Sequence, residues 1–316
     1  MNILITGGAG FIASHLADKL IEDNVVICVD NLELGKKENV IHLQKYENFH
    51  FYEFDINDEK KLCDIIKKHK IEYIYHLAAN SDIQKSAKNP NIDFKNTFNT
   101  TKSVLECMRI CNIKNLFFAS TSAVYGDKTN QLLDERTGEL RPISYYGGAK
   151  LASEAFISSY AYMNDLNVLI FRFPNVIGPR LTHGVIHDFI KKLKDNPTKL
   201  EILGDGTQCK PYIHVYDLIH GIMQLSHKKD KGVRLYNIGV ETATTVTKIA
   251  DMICESLNLE NVEYHYTGGN IGWKGDVPSF KYCMKKIYNE GWYPKYSSDE
   301  AVKYTIESII HKGSES

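Results

Sequence analysis

Tyr146 and Lys150 stand four residues apart in Ser144-Tyr145-Tyr146-Gly147-Gly148-Ala149-Lys150, a spacing that puts both on one face of a helix. A phenol with a pKa near 10 becomes a useful base at neutral pH only if its anion is favoured by roughly 4 kcal/mol, and nearby positive charge is the ordinary source. In a chain with 19 tyrosines the pair alone arises by chance. A third group makes it specific: Leu116-Phe117-Phe118-Ala119 reads as a buried strand that runs into Ser120-Thr121-Ser122, so Thr121 can orient an alcohol. Base, hydroxyl and ammonium together suit removal of an alcohol proton while the carbon gives up hydride. That chemistry requires a hydride acceptor.

The first 31 residues provide a place for one. Ile3, Leu4 and Ile5 form an apolar run, Thr6-Gly7-Gly8-Ala9-Gly10 breaks it, and helical spacing resumes at Phe11, Ile12 and Leu16. Strand, glycine turn and helix let backbone N–H groups and the positive helix end face a pyrophosphate, with Gly7 and Gly10 at the close-approach positions. Ala13 stands at the third small position, which faces the strand. A second run, Val25 to Val29, ends at Asp30, twenty residues past Gly10. A carboxylate there accepts hydrogen bonds from an adenosine ribose and repels a 2′-phosphate, which predicts NAD and not NADP.

The elements that must hold these groups follow in order. Phe49–Phe54 reads as a strand leading to Asp55-Ile56, and 59–69 as a helix. A fourth strand, 71–77, ends in Ala78-Ala79-Asn80. Next come a long amphipathic helix over 93–111 with Asn96 near its start, the Thr121 strand, a helix over 146–163 and a strand over 168–173. This alternation predicts a Rossmann-type, doubly wound parallel α/β sheet. After Pro174 glycine, proline and short elements increase. We therefore expect an NAD-binding domain over 1–174, with segments near 212–239 returning to it, and a smaller mixed α/β substrate domain over 175–316. Cofactor contacts are expected at Gly7, Gly10, Phe11, Ile12, Asp30, Asn31, Asp55, Ile56, Leu77, Ala78, Ala79 and Asn96, joined by Tyr146 and Lys150.

Bulk properties narrow the partners. At 316 residues a sizeable core can form, and a formal charge of −1 offers no pull toward nucleic acid or an anionic membrane. Seven scattered cysteines lack a CxxC pair or a zinc spacing, which suggests reduced structural thiols and no metal site. No basic leader or membrane-length apolar run is present, so a cytoplasmic protein is expected.

The motifs named so far, with His76-Leu77-Ala78-Ala79, Ser122-Ala123-Val124-Tyr125-Gly126 and Arg172-Phe173-Pro174-Asn175-Val176-Ile177-Gly178-Pro179-Arg180, resemble the extended short-chain dehydrogenase/reductases. These are NAD-dependent epimerases, dehydratases and dehydrogenases of nucleotide sugars. The resemblance spans nearly the whole chain, through Gly204 to Gln208, Tyr236 to Gly239 and Gly272 to Asp276. It implies that Tyr146 is the base, Lys150 its partner and ribose ligand, and Thr121 the hydroxyl of the triad. It implies further that Asn175, Arg180, Lys210 and Lys274 meet the nucleotide diphosphate, although lysine replaces the usual arginine at 210 and 274 and keeps the charge without the bidentate fork. Ser81 and Gln84 reach the sugar if their loop opens onto the pocket. His183 and His187 either contact sugar hydroxyls or have no role. The resemblance also implies a homodimer through the helices over 93–111 and 146–163.

Similar 4,6-dehydratases carry Asp-Glu after the threonine, whereas Ser122 and Ala123 occupy those positions and cannot titrate. The glutamate of related decarboxylases and the cysteine of 3,5-epimerases are absent too. Two outcomes of C4 oxidation remain. The chain is similar to bacterial capsule-pathway enzymes acting on GDP-linked manno-heptose, which implies a 4-dehydrogenase whose NADH is exchanged or is reoxidised by a second carbonyl substrate. The alternative is a UDP-hexose C4 epimerase that returns the hydride to the other face. A non-catalytic NAD-binding regulator of the same fold would have no use for Thr121, Tyr146 and Lys150 together.

Overall fold

Ile3, Leu4 and Ile5 are wholly buried in β1 (Asn2–Thr6), which passes through the glycine turn into α1 (Phe11–Leu20). The same logic of apolar runs buried on both faces produces β2 (Val25–Asp30), β4 (Tyr73–His76) and β5 (Asn115–Thr121), while β3 (Phe49–Glu53), at the edge, is only partly buried. In the computed structural model these five pair in parallel in the order β3, β2, β1, β4, β5, and Asn167–Phe173 and Gly232–Asn237 extend the sheet to seven strands. The structure describes residues 1–312 except Asn130, Lys229, Asn270, Ile271, Trp273, Lys274, Asp276 and Pro278.

The chain leaves β1 toward β2 and β3, then crosses back to β4 and β5, so the order reverses between β1 and β4. The crevice beyond the strand ends at such a switch point is where ligands bind in doubly wound sheets. One core layer joins the sheet, through Leu4, Ile27, Ile74, Phe118 and Ile170, to α2 (Glu59–His69), the Thr100–Cys111 helix and the Tyr145–Asn164 helix. All seven cysteines are free.

The single helix expected over 93–111 is not regular. Asn91–Asp93 leads into a π-helical segment, Phe94–Asn99, before the α-helix begins at Thr100. Threonine hydroxyls compete for the carbonyls: Thr100 Oγ1 donates to the oxygens of Asn96 and Thr97 at 3.2 and 2.9 Å, and Thr101 Oγ1 to Thr97 O at 3.0 Å. Apolar spacing alone carries no sign of this widening.

The chain divides into two compact units. The first contains Met1–Val124, Leu140–Arg172 and Ile222–Tyr236, and the second Tyr125–Glu139, Phe173–Gly221 and Asn237–Ser316. Tyr212–Gly221 thus stays with the second unit, while Ile222–Tyr236 brings an edge strand to the first. The second unit packs Ile186, Phe189, Ile190, Ile249, Ile253 and Ile306 into its own core. Short parallel pairs, Asn175–Ile177 with Tyr212–His214 and Lys199–Ile202 with Glu263–Tyr266, complete its mixed architecture. Among the described residues no helix is long and apolar enough to cross a membrane.

Candidate active site

Gly7 adopts φ +67°, and a Cβ there would lie 2.8 Å from Ala78 Cα and 2.9 Å from Ala78 N, both backbone. The turn after β1 is therefore pressed against the segment after β4, and only glycine allows it. Gly10 N donates to Gly7 O at 2.9 Å, and a Cβ on Gly10 would meet nothing nearer than that oxygen at 3.0 Å. Gly7 is thus tight against protein, while Gly10 is left clear for a ligand. Gly8, which spacing did not single out, seats the turn on β2: its Cβ would sit 2.5 Å from Cys28 Cβ. Gly10 caps α1 without a side-chain bond, so the first-turn amides, including those of Phe11 and Ile12, can receive an anion.

Asp30 ends β2 beside this turn. Its Oδ2 accepts from Ala9 N at 3.0 Å and its Oδ1 from Leu32 N at 2.8 Å. Burial raises its carboxyl above the usual range, and the two amides work against that rise. Each oxygen keeps a lone pair for a ribose hydroxyl. Asn31 is exposed and caps Glu33 N at 3.1 Å. Asp55 closes a turn onto Asn57 and pairs with Lys95 at 3.5 Å, whereas the Ile56 side chain belongs to the core. Leu77, Ala78 and Ala79 are half-buried beyond β4, tied to Thr6 through Leu77 N and Ala78 N, both at 3.3 Å. Asn96 lies in the π-helical segment and donates to both oxygens of Glu33 at 3.1 Å. Two backbones in close approach, free helix-end amides and a strand-end carboxylate fit a dinucleotide.

The triad assembles beside it in the same unit. Ser144 caps the Tyr145–Asn164 helix by accepting from Gly147 N at 3.1 Å. A Cβ on Gly147 would lie 2.6 Å from Ala123 O, so this glycine brings the helix start down onto the turn that follows Thr121. The Thr121 hydroxyl lies near enough to Tyr146 to favour its ionisation, and Thr121 Oγ1 accepts from Ala123 N at 3.2 Å. One turn on, Lys150 is 2% exposed, donates from Nζ to Ala119 O at 2.7 Å, and lies 5.9 Å from the centre of the Tyr146 ring.

The electrostatics depart from the expected acidic phenol. Burial pushes Tyr146 above its usual range, the Asp93 carboxylate adds to the rise, and the Thr121 hydroxyl opposes it. Burial brings Lys150 down to about 7, with Asp93 and Glu154 pulling the other way. The positive ring of an oxidised nicotinamide bound beside the phenol would favour its anion.

Spacing also missed a network beneath the triad. Glu154 accepts from Arg172 Nε and Nη2 at 3.0 and 2.5 Å and from the Ser120 hydroxyl, with Glu154 and Arg172 both almost fully buried. Glu154 lies one helical turn past Lys150, and Arg172 interrupts an apolar strand; both were signals of a buried pair. His76, held down to about 3 mainly by burial and secondarily by Lys150, bridges the Thr6 and Thr101 hydroxyls at 2.7 and 3.0 Å as a neutral ring.

Ser81 is exposed, and Gln84 is exposed on α3 (Ile83–Lys88). In the second unit Asn175 is exposed and pairs with Tyr212, two residues past Lys210, which itself pairs with Thr244. Arg180 takes φ +69° and is half-buried. His183 is exposed beside Thr182, and His187 lies on the Val185–Asp195 helix. Lys274 lies outside the described residues. Among the described residues no three histidine, cysteine or acidic side chains are grouped to hold a metal.

The NAD dependent epimerase/dehydratase family model matches residues 3–239. The chain belongs to this family. A putative UDP-glucose 4-epimerase of Methanocaldococcus jannaschii is 33% identical over 311 residues, covering 96% of this chain and 97% of that relative. The UDP-glucose 4-epimerase of Thermotoga maritima, solved with UDP-glucose, superposes with a TM-score of 0.89 at 34% identity over 99% of each chain. DesIV, the dTDP-glucose 4,6-dehydratase of Streptomyces venezuelae solved with NAD, superposes with a TM-score of 0.91 at 25% identity over 99% of this chain and 98% of that one. As a member of the epimerase/dehydratase family, the protein is an NAD-dependent enzyme, with the Rossmann sheet that its sequence predicts.

Proposed function

We propose that this epimerase/dehydratase family member interconverts the C4 epimers of a UDP-hexose. The observation that carries the proposal is the hydroxyl pair Thr121–Tyr146 with Lys150 one turn on, followed by residues without acid or base, Ser122 and Ala123. NAD, which the glycine turn and Asp30 would hold, would supply the hydride acceptor at C4. Tyr146 Oη accepts the C4 hydroxyl proton, Thr121 orients that hydroxyl, and Lys150 opposes charge on the phenol and reaches a ribose. Dehydration across C5 and C6 would need titrating groups beside Thr121, and the turn there has none. The dinucleotide contacts are Gly7, Gly10, Phe11, Ile12, Asp30, Asn31, Asp55, Ile56, Leu77, Ala78, Ala79 and Asn96 of the first unit. In the first unit Ser81 and Gln84 are the candidates for sugar contact, and the second unit's own candidates for a nucleotide diphosphate are Asn175, Arg180 and Lys210.

Similarity to UDP-sugar 4-epimerases favours epimerisation over the GDP-manno-heptose 4-dehydrogenase reading. Redox balance points the same way, because an epimerase recovers its NAD in each turnover whereas a dehydrogenase must exchange its NADH or reoxidise it with a second carbonyl substrate. The test is to incubate the pure protein with UDP-hexoses and with GDP-manno-heptose and to follow mass and isomer. A C4 epimer of unchanged mass is the expected product. Loss of two hydrogens from the heptose, with UDP-hexoses untouched, would replace this proposal by the dehydrogenase.

The exposed Phe94, Phe156, Tyr162 and Met163, on the π-helical segment and the Tyr146 helix, support a homodimer through these elements. Sedimentation should give twice the chain mass, and a monomer at micromolar concentration would remove that proposal.

A further inference from the structure

Asp93 ends the short turn Asn91–Asp93 and is 1% exposed. Its Oδ1 accepts from Asn80 Nδ2 at 3.1 Å and from Thr97 Oγ1 at 3.0 Å. Its Oδ2 is buried and accepts no hydrogen bond among the described residues. An asparagine carbonyl would take both bonds without a charge to desolvate, so anchoring alone does not call for a carboxylate. The charge is useful only if something positive faces it.

The stretch from Asn91 to Asn99 packs on the helix that carries Tyr146 and Lys150, and the Asp93 carboxylate acts on both, favouring the ammonium and opposing the phenolate. Other charged groups on the elements around the pair are neutralised or exposed. On the same helix, Glu154 is matched by Arg172 of the Asn167–Phe173 strand. His76 of β4 is neutral, and β5 brings only the Ser120 and Thr121 hydroxyls. Lys85 and Lys88 of α3 are exposed, Lys95 pairs with Asp55, and Glu106 of the Thr100–Cys111 helix pairs with Arg109 at 2.6 Å. Asp93 is the buried negative charge near the pair that has no cation of its own among the described residues.

We propose that Asp93 is a positioning residue for the Tyr146–Lys150 pair, the fixed buried counter-charge that keeps Lys150 an ammonium ion while the enzyme works. The proposal rests on the assignment of Tyr146 and Lys150 made above. Without Asp93, burial strips the proton from Lys150 at lower pH. Removing the negative charge also eases ionisation of Tyr146, so both groups should titrate at lower pH in its absence.

The test uses the full chain with isotope-labelled lysine. One lysine should titrate near neutrality by NMR, assigned by its disappearance in Lys150→Arg. Asp93→Asn is expected to lower that midpoint by about 1–3 units, and both limbs of the kcat/KM profile should slide toward acid. Thr97→Val, which drops an anchor but keeps the charge, should leave the midpoint in place. An unchanged Lys150 midpoint in folded Asp93→Asn overturns the proposal. Should that variant fail to fold, Asp93→Ser is read by the same two outcomes. The NMR shift needs no substrate, so a shifted Lys150 in a protein that turns over no sugar nucleotide would refute the epimerase reading and leave this inference standing.

Discussion

Tyr146→Phe is expected to lower kcat by about 10²–10⁴-fold, a range typical of losing a positioned general base, while NAD binding persists. The substitution removes one oxygen and leaves the ring, the Ser144 cap and the Gly147 contact that seat the helix. Lys150 keeps its bond to Ala119 O, so the glycine turn and ribose side of the site are untouched. What disappears is the acceptor for the substrate's proton, which matters in the transition state more than in the bound complex. The loss should therefore fall on kcat with KM little changed. Steady-state rates of isomer formation, beside calorimetric titration of NAD, check both halves. A variant retaining more than a tenth of wild-type kcat would mean that another group takes the proton.

Glu154→Ala should cost about 3–5 kcal/mol of stability, the usual penalty for removing one partner of a buried ion pair. Arg172 is 3% exposed and delivers Nε and Nη2 to this carboxylate, and both nitrogens would lose that acceptor. Glu154→Leu with Arg172→Met removes both charges together and should recover most of the loss. Urea unfolding midpoints of Glu154→Leu, Arg172→Met and the double variant form the cycle. If the double variant is no more stable than Glu154→Leu alone, the penalty is one of packing and not of charge. Activity should fall in the double variant as well, because the Ser120 hydroxyl would lose its acceptor and Thr121 is the next residue.

Much of the site was legible because its requirements are local. A glycine turn between an apolar strand and a helix, an acid at the end of the next strand, and a tyrosine and lysine at i and i+4 are constraints between near neighbours in the chain. Gly8 and Gly147 were not legible, since the atoms that forbid a Cβ, Cys28 Cβ and Ala123 O, lie twenty or more residues away. The π-helical segment escaped as well, because apolar spacing reads as an α-helix whether or not threonine hydroxyls take the carbonyls.

By itself the sequence determined the sheet and the cofactor, and it put a tyrosine and a lysine one helical turn apart after a strand-end threonine, all of which follow from residue type and short spacing. Only the tertiary structure decided their electrostatic state. A protonation equilibrium depends on burial and on charges that distant segments bring together, as Asp93 and Glu154 are brought to Lys150. Burial and the Asp93 carboxylate are the reason a phenol expected to be acidic stands above its usual range.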